Sequence, residues 1–129
     1  MRLRDLVARM PVPIEVDWAN SFDAGFSRMT STRYDVHLVG EDLGKRSGID
    51  LMRGYNEAGG VAPVLLVGTS DDRALDLRGM ENGAAGFLAV GPMDPDLLER
   101  SIRYAVEARR QEVVLRHARE ELQESVDER

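Results

Sequence analysis

The spacing of apolar residues changes period several times along the chain, and each change predicts an element. Leu3, Leu6, Val7 and Met10 fall at i, i+3, i+4 and i+7, one face of a helix, which Pro11 and Pro13 stop. Residues 14–18 (IEVDW) alternate apolar and acidic positions and read as a strand. Asn20 or Ser21 caps a helix carrying Phe22, Phe26 and Met29. Residues 36–39 (VHLV) form a short apolar strand ending at Gly40, and residues 41–47 a polar loop. Ile49, Leu51, Met52 and Tyr55 mark a third helix, closed by Gly59 and Gly60. Residues 63–67 (PVLLV) are apolar throughout, the composition of a strand covered on both faces. A loop from Gly68 to Asp72 leads to a helix with Ala74, Leu75, Leu77 and Met80, ended by Gly83. Residues 86–90 (GFLAV) give another strand. Asp94 then caps a helix with Pro95 at its first position, where a missing N–H costs nothing.

No Gly or Pro follows Pro95. The helical pattern runs on to the last residue, a rod of roughly 50 Å. Its first half carries Leu97, Leu98, Ile102, Ala105 and Val106, enough to dock on a sheet. Its second half carries a narrow seam, Leu115, Ala118, Leu122 and Val126, among many charges. One domain does not cover such a seam, so it is expected to pair with a second copy, with Ile102 and Val106 as the hinge to the sheet.

Strands alternating with helices predict an α/β fold with a parallel sheet and crossover helices. At 129 residues the chain makes one domain. Residues 1–108 are read as its body and 109–129 as an extension of the last helix. A net charge of −6 disfavours nucleic acid and anionic membrane surfaces as partners. The absence of cysteine removes thiolate chemistry, disulfides and Cys-ligated metals. His37 and His117 are the two histidines, too few for a multi-histidine metal site. The sequence has neither an 18-residue apolar run nor a secretory leader, so a cytoplasmic location is expected.

Three blocks carry a resemblance: YDVHLVGEDL from Tyr34, PVLLVGTSDD from Pro63, and ENGAAGFLAVGPMDPDLLERSIRYAVE from Glu81. Together they resemble the receiver domain of two-component response regulators over about residues 1–108. The resemblance implies a flavodoxin-like, doubly wound parallel sheet, here with a long C-terminal helix added. It also implies a site for phosphoryl transfer to an Asp, assisted by Mg²⁺ on an acidic pair, a Thr or Ser hydroxyl, and a Lys. A phosphoryl group beside a carboxylate needs that cation and those donors to offset repulsion.

The sequence departs from the pattern at each point. The nucleophile position falls on Gly40, the hydroxyl position on Gly68 with Thr69 one residue late, and the lysine position on Val90. The strand aromatic is kept as Phe87. The family's first strand, which carries the acidic pair, has no counterpart, because residues 3–10 match the end of the first helix. Three repairs are open: closure of strand 14–18 on strand 36–39 into a four-stranded sheet, an element supplied by a partner chain, or a longer native protein. Direct closure within a dimer is the expectation.

These departures predict a phosphorylation-independent pseudo-receiver, neither an enzyme nor a cofactor binder, that acts in protein–protein interaction and dimerisation. Its partners are a second copy through the last helix and a signalling protein or fused output domain. Two alternatives stay open: a sensor of a nucleotide or metabolite in the emptied crevice, and a phosphoacceptor using Asp42. Glu41, Asp42, Thr69 and Ser70 are the candidate crevice contacts, against their reading as acidic turn and ordinary loop residues. Asp71 and Asp72 read as helix caps rather than a metal pair. His37 reads as a satisfied strand residue or a pH sensor, and His117 as solvated. The arginines from Arg100 to Arg119 are interleaved with glutamates and read as a mixed solvated face.

Overall fold

The computed structural model describes residues 3–43, 46–68, 73–89 and 94–127, the side chains of Asp42 and of residues 124–127 excepted. The local signals place most elements where the sequence expects them. The first helix, α1, spans Leu3–Ala8. Ser21 caps α2 (Phe22–Ser31), its hydroxyl accepting from the Ala24 N–H at 3.2 Å. Ser47 and Asp50 form a reciprocal capping box at the start of α3 (Gly48–Glu57). Gly59 then takes the left-handed φ of 90° that ends the turn after α3. Helix α4 covers Arg73–Glu81, and Gly83, at φ 93°, follows it. Asp94 caps α5 (Pro95–Asp127), with the Leu97 N–H donating to its carboxylate at 2.7 Å.

Three parallel strands make the sheet: β1 (His37–Gly40), β4 (Val64–Gly68) and β5 (Gly86–Ala89), in the order β1-β4-β5. His37 lies opposite Val64, and Leu65 opposite Gly86. Side chains alternate across the sheet with period two, and that splits the core. Val39, Val64 and Leu66 face α2, α3 and α4 with Met29, Met52, Tyr55 and Leu75. Leu65 and Leu88 face α1 and α5 with Leu6, Leu98 and Ala105. Helices on both faces make the fold doubly wound.

The expected strand at 14–18 is not one, and it does not close on β1. The sheet has three strands, not four. Ile14 and Val16 remain exposed. Alternation favours an extended backbone there, but a ladder needs a partner about 4.8 Å away. The segment is fastened elsewhere instead. Asp17 accepts a 2.6 Å hydrogen bond from the Tyr34 hydroxyl and lies 3.9 Å from Arg28, and Arg4 sits over the Trp18 ring at 4.3 Å. The polar stretch 41–47 is also more ordered than a loop: β2 (Asp42–Leu43) pairs antiparallel with β3 (Arg46–Ser47).

Helix α5 runs 33 residues without a break. Leu98 is fully buried, Ala105 is buried and Ile102 packs against them, while Val106 is half-buried. Beyond residue 110, Leu115, Ala118 and Leu122 all face solvent. No helix among the described residues is long and apolar enough to cross a membrane.

Candidate functional site

In an open parallel sheet, the crevice at the strand C-termini is where ligands bind. Gly40 ends β1 there, and Gly68 ends β4. A Cβ built on Gly40 meets nothing within 4 Å. The same atom on Gly68 would lie 2.9 Å from the Phe87 ring and 3.1 Å from Leu75. The ring of β5 and a leucine of α4 thus fill the space in which a side chain at position 68 would begin. On the other side, a Cβ on Gly48 would overlap the Gly40 carbonyl, so α3 starts directly against the end of β1.

Glu41 is the charged group of this crevice with a defined partner. Its Oε1 lies 3.2 Å from Nη2 of Arg78 on α4, and its main-chain carbonyl accepts from the Gly48 N–H at 2.9 Å. Its Oε2 is buried and has no partner. The sequence reading of Glu41 as part of a solvated turn did not anticipate this pair, because Arg78 is 37 positions away and no local signal connects them. With the guanidinium half exposed, the pair contributes about 0–1 kcal/mol and mainly ties α4 to the end of β1. Thr69, Ser70, Asp71, Asp72 and Val90, and the Asp42 side chain, lie outside the described residues. Among the described residues, no three His, Asp or Glu side chains come together as metal ligands would.

His37 is buried between two tyrosines, both meeting it edge-on, with ring centroids 5.6 Å (Tyr34) and 4.7 Å (Tyr55) away. Its Nε2 has no hydrogen-bond partner. Burial lowers its pKa and keeps the imidazole neutral. Tyr55 spends its hydroxyl elsewhere, accepting from the Ala62 N–H at 3.0 Å.

Two further surfaces are defined. Leu115, Ala118 and Leu122 line up on the outer half of α5; Val126 continues the spacing, but its side chain lies outside the described residues. Around the seam the charges pair locally, Arg103 with Glu99 at 3.4 Å and Arg109 with Glu112 at 3.3 Å, and His117 is exposed. The second surface is a cavity of about 220 Å³ along the free edge of β1, walled on its far side by residues 14–19.

No protein-family model matches the chain. A stretch of 88 residues, 68% of the chain, is 30% identical to the response regulator protein PmrA of Pseudomonas aeruginosa. The chain spans 39% of the length of that curated relative. Among solved structures, it is similar to the signal receiver domain of a protein described as a LuxO repressor from Vibrio parahaemolyticus. That match has TM-score 0.72 and 17% identity, and covers 87% of this chain and 84% of the other. The signal receiver domain of a modulated diguanylate cyclase from Desulfovibrio desulfuricans gives TM-score 0.68 at 21% identity, over 85% and 86%. The response regulator domain of Thermotoga maritima CheB gives 0.67 at 18%, over 81% and 85%. The chain therefore has the fold of response regulator receiver domains, with three strands in its described sheet.

Proposed function

We propose that the chain is a pseudo-receiver, an interaction and dimerisation module in signal transduction that works without accepting phosphate. The observation that carries this reading is Gly40 at the end of β1, where the resemblance requires the nucleophilic Asp. Gly68 supports it, since Phe87 and Leu75 occupy the space a hydroxyl-bearing side chain would use. At the remaining carboxylate, Glu41, the oxygen that reaches a partner is held by Arg78. The mechanism is packing. The α/β body fixes the first half of α5 through Leu98 and Ala105, and the second half presents Leu115, Ala118, Leu122 and Val126 to a second copy. Paired helices then carry orientation from the two bodies to a signalling partner or an attached output domain.

Two experiments test the reading. Incubation with acetyl phosphate and Mg²⁺, followed by intact-mass measurement, is expected to leave the mass unchanged. A gain of one phosphoryl mass, lost in Asp42→Asn, would establish a phosphoacceptor instead. Sedimentation equilibrium is expected to show a dimer for the full chain and a monomer for a chain cut after Ala108. A full chain that stays monomeric at high micromolar concentration removes the dimerisation half of the proposal. A small-ligand sensor in the crevice would show itself as saturable thermal stabilisation by a nucleotide. The packing over Gly68 favours no such response.

A further inference from the structure

We infer that the cavity beside β1 is a strand-acceptor slot, which takes an extended apolar segment of a partner polypeptide between β1 and residues 14–19. The first support is the direction of the β1 backbone. The His37 N–H donates to the Pro63 carbonyl at 3.0 Å, on the β4 side. In a parallel ladder, alternate residues turn both polar groups to the same neighbour. His37 and Val39 therefore serve β4, while Leu38 and Gly40 face outward. Val36, Leu38 and Gly40 all line the cavity. Exposed edge groups of this kind are templates for pairing with an added strand.

The second support lies across the cavity. Residues 14–19 line its opposite wall and pair with no strand. They are held in place by the contacts of Asp17 with Tyr34 and Arg28, and of Trp18 with Arg4. Two unpaired main chains thus border one space, and a strand between them gains ladder bonds on both sides. That converts an edge into the interior of a sheet.

The lining fixes the chemistry of the occupant. Leu3, Val7 and Ile102 close the slot from the α1–α5 layer, and Met29, Leu43 and Leu51 from the other layer. A strand with both faces covered must be apolar at successive positions, not alternating. The β1 edge is four residues long, so about four such positions suffice. This also selects the source. The chain's own uniformly apolar strands β1, β4 and β5 are engaged in its sheet, and residues 14–18 carry Glu15 and Asp17, which suit one covered face only. A second copy therefore has no free segment of the required composition. The chain's net charge of −6 favours basic residues flanking the apolar run.

The test uses the full chain and a fluorescein-labelled synthetic peptide, Val-Leu-Ile-Val flanked by two lysines on each side. A second peptide has the same side chains but is N-methylated at alternate residues, which deletes ladder donors and leaves charge and apolar content in place. Fluorescence anisotropy is expected to saturate with the first peptide and to require at least tenfold more protein with the second. Amide hydrogen exchange at Leu38 is expected to slow at least tenfold when the first peptide is bound. Equal binding of the two peptides, no saturable binding, or binding without protection of Leu38 overturns the slot. Concentration-dependent protection of Leu38 in the protein alone overturns the partner assignment in favour of a second copy.

Discussion

The two halves of α5 follow the same rule of spacing and meet opposite fates. In the first half, Leu98 is 0% exposed and Ala105 9%, because Leu6, Leu65 and Leu88 lie beneath them. In the second half, Leu115 is 58% exposed and Leu122 68%. An apolar stripe states that something must cover it; it does not state whether the cover is the chain's own sheet or another molecule. The difference between the halves is tertiary. The sheet and α1 end, and the helix does not.

The sharpest way to break this comparison is to truncate one leucine in each half. Leu98→Ala is expected to cost about 2–5 kcal/mol in urea unfolding, since it empties a closed layer between α1, α5 and the sheet. Leu122→Ala is expected to change the unfolding of dilute protein by less than about 0.5 kcal/mol. Equal costs would mean that the outer half is covered within a single chain. A second test addresses that half alone. The pair Leu115→Glu and Leu122→Glu is expected to weaken self-association at least tenfold by sedimentation, with the far-ultraviolet circular dichroism of the body retained. An unchanged association constant would move the contact away from the seam.

A third test sharpens the comparison through the two histidines, one in each region. His37 is buried and its pKa is lowered by burial, so the unfolded chain binds a proton more readily than the folded one. Its contribution is complete above the ordinary imidazole value of about 6.5, and it is lost as pH falls from there toward the lowered folded value. The thermal midpoint is expected to drop between pH 7.5 and 5.5, and His37→Phe is expected to flatten that part of the profile. His117→Phe, on the exposed half of α5, is expected to leave it in place. The smallest effect belongs to Arg78→Ala. Loss of the half-exposed pair with Glu41 is expected to cost about 0–1 kcal/mol, fading as salt is raised.

What was legible in the sequence is what local chemistry decides. Ser21 and Asp94 announce the starts of α2 and α5 because their oxygens satisfy orphan N–H groups nearby. Val64 to Leu66 announce a covered strand by composition alone. Gly40 and Gly68 were found at the ends of their strands by resemblance, and the structure adds what surrounds them. The failures share one cause. Residues 14–18 have the composition of a strand, but pairing depends on the distance to another backbone, which no local pattern encodes. The Glu41–Arg78 pair and the edge-on packing of Tyr34 and Tyr55 on His37 also join distant positions. The β2–β3 hairpin was missed for another reason: with two residues in each arm, it is too short for alternation to show.

The unbroken course of α5 has a mechanical consequence. From Val106 to Asp127 it extends about 30 Å past the last residues seated against the body. A tilt of about 10° at Val106 displaces the far end by about 5 Å, as wide as the spacing between neighbouring strands. A lever of that reach turns a sub-ångström rearrangement beneath Leu98 into a movement large enough to make or break a contact at its tip.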